Sequence, residues 1–294
     1  MSFTGTYTAL ITPFRDGKID SAAFKALIDR QIVAGIDGIV PVGTTGESPT
    51  LDMDEHMEVV RLAVEFAAGR CEVIAGTGAN STSEAIELTE AAEKSGATGT
   101  LQVAPYYNKP SQEGLYQHFR AIAESTSLPV MLYSVPGRSV VEIAPETAAR
   151  LAADCATIVA IKEAGGSVDR INQLVQALPE NFTILSGDDP LTLPFISCGA
   201  RGLVSVAANI IPDVMVKIVR TCIAGDFAGA LALQKKYYPL MRGLMSLDVN
   251  PVPVKTAAHF MGHCGGEFRL PLVPMEPAAA EKLRALLGEF GLVR

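Results

Sequence analysis

Cysteine is scarce and unpatterned: the five (Cys71, Cys155, Cys198, Cys222 and Cys264) are odd in number, lie far apart and form no Cys-x-x-Cys. That pattern points to reduced thiols of a cytoplasmic protein rather than a disulfide framework. Positive charge is also short, with 24 Lys and Arg against 32 Asp and Glu, a net charge of −8 and pI ≈ 5.1. Such a chain has no electrostatic footprint for a phosphate backbone, so no nucleic-acid partner is expected. A small anionic substrate remains allowed, because a pocket needs only one or two local cations. Long apolar runs are missing as well. The longest, around Gly202 to Val219, is broken by Asn209, Pro212 and Asp213 and falls short of the roughly 20 residues of a membrane span. The first residues, Met1 to Phe14, lack a basic start followed by a long apolar stretch, so no signal peptide is expected. No membrane association is expected, and the default is a soluble cytoplasmic protein.

What is abundant is apolar: 48% of the residues are hydrophobic and only 19% charged. A chain of this length buries roughly three-quarters of its unfolded surface. Short β-branched runs punctuated by glycine or proline recur at Tyr7–Thr12, Gly38–Val42, Val73–Thr77, Gly99–Ala104, Val130–Ser134, Ile158–Lys162, Thr183–Ser186 and Gly202–Val206. Amphipathic segments such as Ser21–Ala34, Asp54–Ala68, Ser83–Ser95 and Gln112–Ser125 fall between them, with cap candidates at Asp20, Asp52 or Asp54, and Ser81 or Thr82. Alternation of this kind implies parallel strands joined by helical crossovers. Eight such units predict an α/β fold of the (β/α)8 TIM-barrel type; a doubly wound sheet would show a Gly-x-Gly-x-x-Gly after its first strand, which is missing here. Helical pattern continues over Asp213–Ala224, Phe227–Leu247, Val254–Met261 and Ala278–Phe290, more than an eighth unit needs. The expected division is a barrel over residues 1–225 and a small C-terminal helical appendage over 226–294.

Barrel sites are built at the C-terminal strand ends. Those positions hold Thr44 and Thr45, Tyr106 and Tyr107, Tyr133 with Arg138, Lys162 with Glu163, and Ser186 to Asp189. Lys162 is the sharpest of them. In the run Ile158 to Lys162, strand alternation puts it on one face with Ala160 and Ile158. If that face is the barrel interior, burial favours the neutral amine that attacks a ketone to form a Schiff base. Bringing a lysine from about 10.4 to about 7 takes roughly 4–5 kcal/mol. The plainer reading is a lysine paired with Glu163 at a strand end. Tyr133 ends the preceding strand, close enough to relay protons, or else is a core tyrosine. Arg138, in a Pro-Gly turn, has the fork that grips a carboxylate, though an exposed loop arginine is more common. The glycine loop Gly43 to Ser48 lacks the Gly-Lys-Ser/Thr of a nucleotide site. His259, His263 and Cys264 have ligand-like spacing but no carboxylate partner, so neither a metal nor another cofactor is expected.

These residues, together with Ala9 to Phe14, Tyr106 to Pro110, Leu132 to Arg138, Ile161 to Ala164, Ser186 to Asp189 and Asn250 to Lys255, closely resemble the dihydrodipicolinate synthase family. That family lies within the pyruvate-dependent class I aldolase superfamily that includes N-acetylneuraminate lyase, and the likeness runs nearly end to end. The resemblance implies a lyase of lysine and diaminopimelate biosynthesis. Lys162 would form a Schiff base with pyruvate, and the enamine would attack L-aspartate 4-semialdehyde. It further implies a proton relay of Tyr133, Thr45 and Tyr107, with Tyr107 reaching in from a neighbouring subunit of a homotetramer (a dimer of dimers). Thr44 and Thr45, with backbone near Gly187 and Val204, would hold the pyruvate carboxylate, and Arg138 the semialdehyde carboxylate.

Two departures from the family pattern flank that arginine: Ser134 stands where Asn is usual, and Ser139-Val140 where Thr-Gly is usual. Ser48, His56, Asn80, Glu84 and Tyr106 match the feedback site of lysine-sensitive members, implying partial inhibition by L-lysine. Met53 and Pro49 differ from the sensitive pattern, in which a His and an Ala are typical. Two alternatives stand beside this reading. One is a sugar-acid aldolase of the same fold, acting on N-acetylneuraminate or 2-keto-3-deoxygluconate. The other is a catalytically silent barrel that binds a 2-oxo acid.

Overall fold

In the computed structural model, which describes residues 3–293, eight parallel strands close into one barrel. They are β1 (Gly5–Ala9), β2 (Gly38–Val40), β3 (Glu72–Gly76), β4 (Gly99–Val103), β5 (Val130–Ser134), β6 (Ile158–Glu163), β7 (Thr183–Ser186) and β8 (Gly202–Ser205). Each pairs with the next in the chain, and β8 closes on β1 with Tyr7 opposite Val204. The crossovers are α1 (Ser21–Val33), α2 (Met53–Ala67), α3 (Thr82–Lys94), α4 (Gln112–Glu124), α5 (Pro145–Asp154), α6 (Val168–Ala177), α7 (Thr192–Ser197) and α8 (Pro212–Ile223). Three helices follow, α9 (Phe227–Ser246), α10 (Val252–Phe260) and α11 (Pro277–Glu289). A short antiparallel hairpin, Phe14–Arg15 with Lys18–Ile19, leads into α1. Among the described residues no helix is long and apolar enough to cross a membrane.

Local chemistry sets several helix starts. The Asp20 carboxylate accepts from Ala23 N at 3.0 Å. Asp52 and Glu55 form a reciprocal capping box at the start of α2, satisfying two N–H groups that otherwise have no intrahelical partner. Apolar residues then sort into two layers. Tyr7, Val40, Ile74, Leu101, Met131 and Leu185 fill the barrel, while Phe24, Ile28, Val59, Phe119, Leu151 and Ile171 pack in the shell of strands and helices around it.

Two strand expectations need correction. The first strand spans Gly5–Ala9 rather than Tyr7–Thr12, because the chain leaves the ladder at its C-terminal end. Ile11 N bonds instead to the Asn209 side chain at 3.1 Å. The second concerns β6. Its pairing with β5 slips between Val130 and Met131, so that Ile158 faces Val130 and Ala160 faces Met131. The extra residue, Val159, is a bulge that reverses the alternation below it. Ala160 therefore lies inside the barrel, while Ile158 joins the outer layer.

The C-terminal helices pack on the barrel and on each other: α9 against α8 and α11, and α10 against α11 and the turn Ala207–Asn209 that follows β8. That places α10 over the end of the barrel where the strand C-termini emerge.

Candidate active site

Above the bulge, alternation resumes and sends Lys162 inward beside Tyr133, its register partner on β5. Lys162 is 6% exposed, and its Nζ lies 4.1 Å from the centroid of the Tyr133 ring. The plainer expectation, a Lys162–Glu163 pair, is not what forms. Glu163 points to the other face, where Oε2 accepts from Arg170 Nε at 3.3 Å and Oε1 from Gly165 N at 2.7 Å. Burial pushes the Glu163 carboxyl up, with the Arg170 guanidinium opposing it. None of the ion pairs among the described residues includes Lys162. Gly187 lies directly alongside: a Cβ there would come within 3.0 Å of Lys162 Cε and 2.7 Å of Ala164 Cβ. Only glycine lets the chain after β7 pass the lysine this closely. Val204 is fully buried on β8 in the inner layer.

A cavity of about 210 Å³ opens at this end of the barrel. Thr44, Leu101, Tyr106, Tyr133 and Arg138 are on its wall, and Tyr133 links it to Lys162. Arg138 is held by one hydrogen bond, from Nη2 to the Asn250 carbonyl at 3.0 Å. Its neighbour Val140 has φ 65 and is 61% exposed. A β-branched residue in left-handed backbone is strained. Of the two threonines, Thr44 is on the wall, whereas Thr45 is buried and its Oγ1 accepts from Asn250 Nδ2 at 3.1 Å. Thr44 is thus the member of the pair on the cavity wall, and Thr45, expected in the relay, is not. The turn Thr44–Gly46 ends at Glu47 in left-handed backbone. Tyr107 is not on this wall. It is 89% exposed with φ 74.

A second cavity, about 310 Å³, adjoins the first and shares Ser48, Pro49, Gly78 and Tyr106 with it. His56 and Glu84 line it too. Asn80 sits at its edge, donating to the Tyr106 carbonyl at 3.2 Å. His56 is no surface histidine: it is 4% exposed, and its Nε2 lies 2.8 Å from the Gly76 carbonyl. A carbonyl only accepts, so Nε2 carries the proton and Nδ1 is left as an acceptor. Burial lowers its pKa, keeping the ring neutral. Burial, and then the Glu84 charge, raise the Tyr106 phenol.

The sequence profile of the dihydrodipicolinate synthetase family matches residues 2–290. The chain belongs to the dihydrodipicolinate synthetase family. A 4-hydroxy-tetrahydrodipicolinate synthase of Persephonella marina is 50% identical over 293 residues, 99% of this chain and 100% of that one. Among solved structures, the 4-hydroxy-tetrahydrodipicolinate synthase of Methylacidiphilum fumariolicum SolV is 55% identical with TM-score 0.97, covering 99% of this chain and 96% of that one. The chloride-inhibited dihydrodipicolinate synthase of Acinetobacter baumannii, complexed with pyruvate, is 44% identical with TM-score 0.96, over 99% and 100% of the two chains. A synthase from Cyanidioschyzon merolae with lysine bound is 40% identical with TM-score 0.95, over 99% of each chain.

Membership in the family leaves the residue roles to be argued from this chain's geometry. Tyr133, Thr44 and Arg138 share the cavity wall; Lys162 meets it through Tyr133 and Gly187 through Lys162, whereas Thr45 and Tyr107 are off the wall. Three polar residues took no role in the sequence reading: Glu47, Asn250 and Lys255. The only signal for the last two was the Asn250 to Lys255 motif itself. His259 and His263 gain no third ligand, for no cluster of three or more His, Cys, Asp or Glu suited to a metal occurs among the described residues.

Proposed function

We propose that this chain condenses pyruvate with L-aspartate 4-semialdehyde through a Schiff base on Lys162, the 4-hydroxy-tetrahydrodipicolinate synthase reaction. The observation that carries the assignment is Lys162 itself: buried, without a carboxylate partner, and under the ring of Tyr133, which opens onto the cavity. The neutral amine attacks the pyruvate ketone, and water leaves as the imine forms. Loss of a methyl proton gives the enamine, whose carbon attacks the semialdehyde aldehyde. The amine of the adduct then displaces Lys162 by transimination, closing the ring and freeing the enzyme. Tyr133 and Thr44 are the hydroxyls placed to pass protons during these steps. Gly187, with its backbone beside Lys162, leaves room for the pyruvate carboxylate, and Arg138 at the mouth suits the second carboxylate. No cofactor is required.

Two parts of the proposal extend beyond one chain. Tyr107, exposed and in strained backbone, is assigned to the neighbouring site of a homotetramer, where it completes the relay. The second cavity is assigned to L-lysine. Glu84 would meet an ammonium, His56 Nδ1 would accept from it, and the shared Ser48–Tyr106 wall would carry the effect to the active site.

The deciding experiment is borohydride trapping. Pyruvate plus borohydride should add a reduced pyruvyl group to the peptide that contains Lys162, and Lys162→Ala should abolish it. Arginine would not restore labelling, since a guanidinium stays charged. Label at Lys109, Lys217 or Lys255 would refute the assignment. Turnover of N-acetylneuraminate or 2-keto-3-deoxygluconate in place of the semialdehyde would show a sugar-acid aldolase.

A further inference from the structure

The loop after β2 carries the site's threonines and the turn after β5 carries its arginine. Strands β3 and β4 stand between them, so the barrel ladder does not tie one to the other. They are tied from outside the barrel. Asn250, 7% exposed, donates from Nδ2 to Thr45 Oγ1 at 3.1 Å, and its carbonyl accepts from Arg138 Nη2 at 3.0 Å. Further along the same segment, Lys255 Nζ lies 2.5 Å from Glu47 Oε1, with both side chains fully buried. The Lys255 ammonium is also packed 4.1 Å from the centroid of Phe14. Neither Glu47 nor Lys255 nor Asn250 is on the cavity wall.

A buried ion pair is a weak source of stability, because desolvation offsets most of the attraction and an apolar pair of similar volume often does as well. What this pair supplies is direction. Glu47 ends the Thr44–Gly46 turn at φ 59, a backbone state that a non-glycine residue keeps only when its surroundings impose it. Lys255 anchors the Glu47 side chain and Asn250 anchors that of Thr45, and none of the four is on the cavity wall. With both anchored, Thr44 is the residue left facing the cavity.

We infer that the segment Asn250–Lys255 is a positioning element for the first half-reaction, aiming the Thr44–Glu47 turn through Asn250→Thr45 and Lys255→Glu47. The inference rests on Lys162 being the Schiff-base lysine. It gives the C-terminal helices a part in catalysis without contact with substrate.

Asn250 allows a clean test. Its Oδ1 has no hydrogen-bond partner, so the Thr45 contact is the one its side chain makes among the described residues. Asn250→Ala should slow single-turnover formation of the borohydride-trapped pyruvate adduct about tenfold, the scale of one net hydrogen bond. The KM for the semialdehyde should stay within about twofold, because the backbone carbonyl that holds Arg138 is retained. If the effect passes through Thr45, Asn250→Ala with Thr45→Val should be no slower than Thr45→Val alone. A second arm replaces the ion pair with Glu47→Leu plus Lys255→Met. The melting temperature should fall little, since only the 3.4 Å contact from Arg269 N to Glu47 Oε2 is lost without replacement, while adduct formation still slows about tenfold or more. Adduct formation at the parent rate in Asn250→Ala, or strictly multiplicative losses in the double variant, would overturn the inference. So would full activity in the folded Glu47→Leu/Lys255→Met protein. A parent protein that traps no pyruvate refutes the Schiff-base assignment itself and the inference with it. A parent that traps normally beside indifferent variants refutes the positioning element alone.

Discussion

Replacing Arg170 with methionine should destabilise the protein at neutral pH far more than a surface substitution does, and the loss should shrink in acid. Glu163 is fully buried directly after Lys162, and Arg170 is 4% exposed. The guanidinium reaches Glu163 Oε2 at 3.3 Å and also donates to the Ile143 carbonyl. Methionine fills much the same space but leaves that carbonyl unpaired and Glu163 with only Gly165 N as a close donor. Breaking one side of a buried pair costs about 3–5 kcal/mol. At about 2 °C per kcal/mol for a chain of this size, the melting temperature should fall by roughly 6–10 °C. The pH dependence follows from the direction of the Glu163 shift. Burial already raises its pKa, and Arg170 opposes that rise, so removing Arg170 raises it further. A carboxyl whose folded pKa lies above its unfolded value of about 4.3 loses stability as pH climbs from the unfolded to the folded pKa. The deficit should thus be full above the folded pKa and smaller near about pH 5. Thermal melts of both proteins at about pH 5 and about pH 8 measure this. A variant that melts within about 2 °C of the parent at the higher pH, or one that suffers more at the lower pH, would refute the reasoning.

Three other outcomes are expected. Arg138→Ala should leave pyruvate labelling intact but lower kcat/KM for the semialdehyde about 10- to 150-fold, since a charge-assisted contact is worth about 1.5–3 kcal/mol; an unchanged value would remove Arg138 from the second-substrate site. Val140→Gly should raise stability by up to about 1 kcal/mol in chemical denaturation, because relief of left-handed strain outweighs the added freedom of the unfolded chain. A measured loss would mean that the exposed valine packs in a way the strain argument ignores. L-Lysine should inhibit partially and saturably, and Glu84→Ala should weaken binding by at least about tenfold in calorimetry, as expected for a lost ion-paired hydrogen bond. Activity indifferent to lysine at about millimolar concentration contradicts the second-cavity assignment.

Much of the architecture was legible because it is local. Strands β5 and β7 occupy the residues that β-branched runs between turn signals mark out, Val130–Ser134 and Thr183–Ser186. Asp20 and Asp52 cap the helices that their positions announce. Lys162 shares its face with Ala160 as a period of two requires, but Ile158 does not. A bulge is a property of two paired strands, and one strand's sequence does not display it. The rim tyrosines divided in a similar way: Tyr106 and Tyr133 line the cavity while Tyr107 turns out to solvent.

By itself, the sequence determined the strand–helix alternation, the closed barrel that follows from eight such units, and the lysine as the residue to watch. Each depends on periodicity, on turn chemistry or on a side chain whose reactivity is unlike its neighbours'. Tertiary structure alone decided which of two adjacent threonines faces the cavity. It also decided that Glu163 pairs with Arg170 rather than Lys162, and that His56 is buried against Gly76. Thr44 and Thr45 have the same chemistry, and what separates them is Asn250, 205 residues further along the chain. A contact that distant leaves no periodic trace, because its partners meet only once the barrel has closed and the C-terminal helices have packed across its mouth.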